Sequence, residues 1–135
     1  MTQALLDEVA YLFVEAYDSI HGIQEDRSAV RRIRKAADDG EDGFYAVVAS
    51  VFGDNLDKVF IYAANWAMDC IAYVDETWTP KDANDKAKMI EIEKLHLESV
   101  NAILQIAWRN NRHIADQIQG ILLEAEEHFQ HVQAR

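Results

Sequence analysis

Four side chains in the segment E-A-E-E-H-F-Q-H have the types and the spacing of metal ligands. Glu124, Glu127, His128 and His131 fall at i, i+3, i+4 and i+7, which places them on one face of a helix. Carboxylate and imidazole groups at these spacings can share a divalent zinc or iron ion. Glutamate and histidine are also common on solvated helix faces, so we expect this segment to be free of metal.

A second carboxylate and imidazole, Glu93 and His96, have the E-x-x-H spacing of di-iron helical bundles. Such bundles use two of these motifs and two further glutamates, whereas this sequence has one motif, so half of the ligand set is missing. The acidic segment 38–43, D-D-G-E-D-G, could suggest a calcium loop. Its twelfth position would be Ala49, where an EF-hand needs glutamate. We therefore interpret it as an acidic turn between helices.

An enzymatic hypothesis rests on paired acids. All-helical nucleotide pyrophosphatases hold Mg²⁺ between E-x-x-E and E-x-x-D pairs and use the ion to polarise phosphate. The pairs of that shape here, Glu15-x-x-Asp18 and Glu124-x-x-Glu127, occur in the opposite order and lack the fuller acidic run. The sequence shows no glycine-rich phosphate loop. We keep a metal-dependent or small-molecule-binding helical enzyme, using Asp69 or the C-terminal Glu/His face, as the second function hypothesis.

The most apolar run of the chain, Val59 to Val74, carries an amide and a carboxylate. At 100° per residue, four polar side chains of this helix fall within a strip about 40° wide. They are Lys58, Asn65, Asp69 and Glu76, and the other side chains of the run are expected to face apolar neighbours. The strip predicts either a surface that is exposed to solvent or the lining of a pocket. The predicted pocket residues are Tyr62, Asn65, Asp69 and Tyr73.

Charge limits the classes of partner. The chain has 135 residues, 13 basic and 24 acidic side chains and a formal net charge of −11. Such a field repels nucleic acid and anionic membranes and favours basic partners, although acidity can also serve solubility alone. The basic cluster of the sequence is Arg31, Arg32, Arg34 and Lys35. We expect it to pair internally with the acidic first helix and the turn at 38–42 rather than to bind nucleic acid.

The first helix is the preferred binding face. No lysine or arginine lies between Met1 and Glu25, and acids project from one side of this helix with a tyrosine among them. The acidic turn extends this face if it folds back beside the helix. The predicted partner-binding residues are Glu8, Tyr11, Glu15, Asp18, Asp38, Asp39, Glu41 and Asp42. We therefore favour a non-enzymatic interaction module, of an inhibitor or immunity type, that covers a basic protein surface; a homodimer is left open.

Three features predict a soluble, cytoplasmic protein. The lone Cys70 excludes an intramolecular disulfide and suits a reducing compartment. The first residues, M-T-Q-A-L-L-D-E, lack the basic and apolar regions of a secretory signal. The longest apolar run is too short and too interrupted for a membrane span, which needs about 18 to 20 residues.

Hydrophobic spacing is helical throughout. We expect a helix over 3–23, capped by Thr2 and ended by Gly22, with the polar Q-E-D after it. Shorter helices are expected over 28–37 and 42–52, the second ending at Gly53. The apolar run forms the next helix, with Asp54 predicted as its cap.

The remaining sequence predicts a C-terminal helical hairpin. Thr79 as cap, Pro80 at the first helical position and Asp82 at the third form a helix start signal. One helix from there to Gln133 would be about 80 Å long, so we place a break at 108–112. The predicted fold is a single-domain, all-α bundle of about five to six helices over residues 1–135.

Overall fold

The chain folds into helices, as its hydrophobic spacing predicts. The structure is a computed structural model and describes residues 1–22 and 26–135, in which six α-helices and two short 3₁₀ turns occur and no strand. The α-helices are α1 Gln3–His21, α2 Ser28–Ala36, α3 Gly40–Phe52, α4 Leu56–Thr77, α5 Ala83–Asn110 and α6 Arg112–Gln133. The all-α prediction is confirmed. Ile23, predicted as the last residue of the first helix, lies outside the described residues, as do the first two residues of the Q-E-D segment.

Helix α4 is the centre of the bundle. It packs against α1, α5 and α6, while α2 and α3 pack on each other, with α2 also against α1. Ala63, Ala64 and Ala67 have no exposed surface, and side chains this small let neighbouring helices approach closely on adjacent sides. One hydrophobic core therefore includes buried residues from all six helices.

Three phenylalanines join the N-terminal half to α4. The ring of Phe13 lies 5.3 Å from that of Phe44 and 5.0 Å from that of Phe60, both edge to face. All three side chains are fully buried, and such ring pairs add to the free energy gained by burial. This cluster holds α1, α3 and α4 in fixed relation to one another.

The predicted boundaries of α1 and α3 agree with the structure at their caps. The Thr2 hydroxyl accepts a hydrogen bond from the Leu5 N–H, and Gly22 is the C-cap of α1 with a φ of 76°. Gly53 ends α3 with a φ of 52°. Positive φ values of this size favour glycine because it has no Cβ.

Two predicted caps are wrong. Asp54 does not cap α4: it lies in a 3₁₀ turn, and Asn55 takes the N-cap position without a side-chain hydrogen bond. Thr79 does not cap α5, which begins at Ala83 with Asp82 as its N-cap. Asp82 is preferred because its carboxylate accepts the Asp85 N–H at 2.8 Å, while the Asp85 carboxylate accepts the Lys81 N–H at 3.0 Å. Together these two bonds satisfy two amide groups at the start of the helix.

The break predicted at 108–112 is confirmed and consists of one residue. Asn111 ends α5 and begins α6 in an extended conformation, with φ −156° and ψ 95°. Its side chain accepts the Ile114 N–H at 3.3 Å, which satisfies an amide at the start of α6. Helices α5 and α6 pack against each other as the predicted hairpin. Among the described residues, no helix is long and apolar enough to cross a membrane.

The phenylalanine cluster gives a stability prediction. Phe13→Ala removes a buried ring that contacts both Phe44 and Phe60. We therefore expect the free energy of unfolding to fall by about 3–5 kcal/mol. Tyr11→Ala is the matched control on the same helix, because that side chain is 48% exposed, and it should change the value by about 0.5 kcal/mol or less. Urea denaturation followed by circular dichroism measures both; equal losses would contradict the assignment of Phe13 to the core.

Candidate functional site

The polar strip of α4 borders an open groove. The groove has a volume of about 530 Å³ and a mostly apolar lining, to which the predicted residues Tyr62, Asn65 and Asp69 contribute, together with Gln117 from α6. Tyr73 lies one turn beyond Asp69, outside this lining, and is 68% exposed. The groove is open to solvent along its length, so the strip faces water.

An aromatic pair forms the middle of the groove. The rings of Tyr62 and Trp66 stack at 6.2 Å with an angle of 25° between their planes. The Tyr62 hydroxyl is 2.6 Å from the Ser19 hydroxyl, which ties α4 to α1. Trp66 also lines the groove and is 39% exposed, so the expectation that it faces apolar neighbours is wrong. It follows Tyr62 by one helical turn, and that spacing could have placed it at the edge of the strip.

The acidic side of α1 lies next to this strip. The pKa of the Cys70 thiol is raised by burial first and then by the carboxylates of Glu93, Asp69 and Glu8. The pKa of the Tyr11 phenol is raised first by the Glu15 carboxylate and also by Glu8. Residues of α1 and α4 that the sequence suggested separately therefore lie on adjoining helices, with Glu8 and Asp69 both close to Cys70. We call this surface the acidic–aromatic face, and its residues are Glu8, Tyr11, Glu15, Tyr62, Trp66 and Asp69.

Three other predicted binding residues are ion-paired. Asp18 accepts two hydrogen bonds from the Arg27 guanidinium, at 2.7 and 3.1 Å, and these bonds lower the pKa of its carboxyl group. Arg109 donates to Glu41 at 2.7 Å and to Asp42 at 3.0 Å. The ion pairs among the described residues do not include Glu8 or Glu15. On α1 these two carboxylates are therefore available to meet a partner's charge.

The acidic turn folds back toward the start of α1. The Gln3 side chain donates to the Ala37 carbonyl at 3.0 Å, and Asp38 and Asp39 beside it are exposed. In the described part of the chain, the close ion pairs of α1 and of the acidic turn are made by Arg27 and Arg109 and not by the basic cluster. Arg34 of the cluster acts on α1 at longer range, since its charge helps to lower the pKa of Asp18, and Arg32 donates to the Ser50 hydroxyl. The expected internal pairing is therefore limited to this longer-range interaction.

A carboxylate that the sequence reasoning missed lies between the ends of α4 and α6. Asp75 is buried, with 8% of its surface exposed. Its Oδ2 atom is 2.8 Å from His128 Nδ1 and 3.1 Å from His131 Nδ1, and its Oδ1 atom accepts a bond from Arg135 at 2.7 Å. Periodicity could have found it, because Asp75 continues the buried series Ala64, Met68 and Ile71 by one more turn of the helix.

The C-terminal Glu/His face is therefore divided. His128 and His131 turn toward Asp75, whereas Glu124 and Glu127 remain exposed and lie outside this cluster. The buried stripe of α6 passes through Ala125, Phe129 and Val132. This stripe packs between α4 and α5, and the carboxylate that meets the two imidazoles comes from α4.

Opposing effects set the pKa of Asp75. Burial disfavours its charged form, but the hydrogen bonds from His128 and His131 and the charges of His131 and Arg135 favour it. The hydrogen bonds and charges outweigh burial, so the pKa of Asp75 lies below its ordinary value. The carboxylate is therefore ionised in the folded protein at neutral pH.

The E-x-x-H motif forms a separate local pair. Glu93 is buried, with 3% exposed, and one of its carboxylate oxygens lies 2.9 Å from His96 Nδ1. In the described residues, the group with three converging ligand atoms is Asp75, His128 and His131, and Glu93 is not a member of it. The motif therefore stabilises α5 through a pair at i, i+3.

Comparison with known proteins finds no matching family model, no matching curated protein and no matching solved structure.

Two aspartates six positions apart on α4 provide a matched test. Asp75→Asn removes a buried carboxylate with three donors, so we expect the free energy of unfolding at pH 7 to fall by about 2 kcal/mol. Asp69→Asn alters an exposed carboxylate and should change it by about 0.5 kcal/mol or less. Urea denaturation measures both values.

The Asp75 contribution depends on pH with a defined sign. Because folding lowers this pKa, the stabilisation is present above the unfolded value of about 3.9 and is lost as pH falls through the folded pKa. The difference in the free energy of unfolding between the wild type and Asp75→Asn should therefore shrink below about pH 4. A difference that stays constant from pH 7 to pH 3 would contradict an ionised, stabilising carboxylate.

Proposed function

We propose that this protein is a non-catalytic interaction module whose acidic–aromatic face binds a basic surface of another protein. The observation that carries the proposal is the adjacency of the acidic side of α1 and the polar strip of α4, which meet around Cys70 and are tied by the bond between Ser19 and Tyr62. Neither surface alone has both charge and apolar contact area. Together they have both.

The chemistry of the face suits a basic and partly apolar partner. Trp66 and Tyr11 offer large, stiff side chains, of the types that contribute most binding energy at protein interfaces. The carboxylates of Glu8 and Glu15 are outside the ion pairs of the described residues, and the whole chain carries a net charge of −11. Such a field accelerates and orients encounter with a positive surface. This combination suits an inhibitor or immunity-type protein that covers a basic site.

The open shape of the groove also favours a macromolecular partner. Small-molecule sites bury most of their ligand's surface in a concave pocket, whereas water reaches the Asp69 carboxylate along the exposed strip. We therefore place the enzymatic hypothesis second. The cytoplasm remains the proposed location, since the half-buried Cys70 thiol is reduced there.

The test begins with photo-crosslinking in the native host. A benzophenone amino acid replaces Tyr11 or Trp66 on the face, or Leu123 as a control, because Leu123 is an exposed apolar side chain on α6. We expect the same adduct from both face positions and not from the control. Crosslinking from Leu123 alone would place the interface elsewhere.

Charge variants then measure the role of the carboxylates. We expect the triple variant Glu8→Gln, Glu15→Gln, Asp69→Asn to associate about tenfold more slowly with the crosslinked partner at low salt and to lose most of its salt dependence. Glu91→Gln, Glu124→Gln, Glu127→Gln makes the same change in net charge at exposed positions outside the face and should retain most of the rate. Equal slowing in both variants would mean that net charge acts without a defined acidic face.

A further inference from the structure

Two imidazoles and a carboxylate converge on one point between α4 and α6. The ligand atoms of Asp75, His128 and His131 all lie within 4.8 Å of one another, and both Nδ1 atoms approach the same carboxylate oxygen at 2.8 and 3.1 Å. Neighbouring donors of a tetrahedral ion with bonds of 2.0–2.1 Å are about 3.3 Å apart. Lengthening the two oxygen contacts by about 0.2–0.5 Å would bring them to that separation, and the two imidazole ligand atoms lie within 4.8 Å of each other.

We propose that Asp75, His128 and His131 bind one divalent transition-metal ion of the zinc type. Two imidazoles and one carboxylate suit zinc, cobalt, nickel or iron(II), whereas calcium and magnesium prefer oxygen donors alone. The Asp75 side chain is held in the bundle, while the His131 side chain is 56% exposed. The fourth coordination position therefore faces solvent, as it does in three-ligand zinc sites.

The site has an outer shell that orients the carboxylate. Arg135 donates to Asp75 Oδ1 at 2.7 Å and to the carbonyls of Val74 and Trp78 at 3.3 and 3.1 Å. These contacts fix the guanidinium and leave Oδ2 directed at the imidazoles. Hydrogen bonding to a ligating carboxylate in this way is usual for metal sites. The positive charge of Arg135 also opposes a cation, so its removal should tighten metal binding.

The competing explanation is a network made of hydrogen bonds alone. In that network each imidazole carries its proton on Nδ1 and donates it to Asp75. In the metal site each Nδ1 uses its lone pair on the ion. A protonated ring releases its Nδ1 proton to solvent, whereas a neutral ring exchanges the Nδ1 proton for one taken from solvent at Nε2, so that in both cases Nε2 carries the proton of the bound neutral ring. The two arrangements therefore differ in histidine tautomer, which ¹⁵N NMR of the imidazole nitrogens observes directly.

The experiment uses the full chain, stripped of metal with a chelator and titrated with zinc or cobalt salts. We expect one ion per chain by calorimetry, a cobalt absorption spectrum of low coordination number, and loss of the Nδ1 protons of His128 and His131 on zinc addition. The unfolding temperature should rise with metal concentration, because an ion that binds the folded state stabilises it.

Variants connect the metal to these side chains. His131→Ala alters the most exposed ligand and should fold, and we expect it to weaken zinc binding by more than about tenfold. His113→Ala, an exposed histidine of the same helix, and Glu127→Gln, an exposed acid beside the cluster, should leave the affinity unchanged. Arg135→Gln should raise the affinity for zinc. Circular dichroism confirms the fold of each variant.

Three results would overturn the proposal. The first is no bound ion at zinc concentrations that saturate ordinary three-ligand sites. The second is binding that His113→Ala weakens as much as His131→Ala does. The third is zinc binding with both Nδ1 protons retained. The proposal does not depend on the protein partner, since neither Asp75 nor the two histidines belong to the acidic–aromatic face.

Discussion

The burial of α4 is the constraint on which the rest of this structure depends. Helices α1, α3, α5 and α6 pack against it, and its alanines let neighbouring helices approach closely. Only one strip is then left to face water, and every polar side chain of α4 must lie in that strip, near a helix end, or against a partner that neutralises it. Asp69 lies in the strip that faces water, whereas Asp75 lies against partners that neutralise its charge. The acidic–aromatic face and the Asp75 cluster are therefore two consequences of the same packing.

The fold could be predicted because it depends on patterns that are local in sequence. Apolar side chains at three- and four-residue spacing define α1, α4 and the hairpin, and the asparagine-rich W-R-N-N-R segment marks the break at Asn111. The predictions were wrong where two signals competed within a few residues. Thr79 and Asp82 are both acceptable caps, and the choice between them depends on the bonds from the Asp85 N–H to Asp82 and from the Lys81 N–H to Asp85. Tertiary packing and cap geometry decide such cases, and residue type alone does not.

The candidate sites were harder to predict because their members come from different helices. Glu8 and Asp69 were recognised separately, but sequence gives no measure of how α1 lies on α4. The imidazoles of α6 were recognised with the wrong carboxylates, since Glu124 and Glu127 are near in sequence and Asp75 is 53 residues from His128. Ion pairs follow the same rule: Arg109 reaches Glu41 across 68 positions. Spacing along one helix identifies candidate groups, but packing between helices determines which groups meet.

The distance in sequence between Asp75 and its histidines has a consequence for biosynthesis. A ribosome adds about 5–20 residues per second, so Asp75 is synthesised about 3–10 seconds before His128, which is 53 residues later. During that interval the nascent chain lacks the two imidazoles that pair with Asp75 in the folded protein. Docking of this end of α4 is disfavoured until α6 has been made, because an unpaired buried charge is costly. The charge of Asp75 therefore couples the final packing of this end of α4 to the presence of the helix that carries its partners.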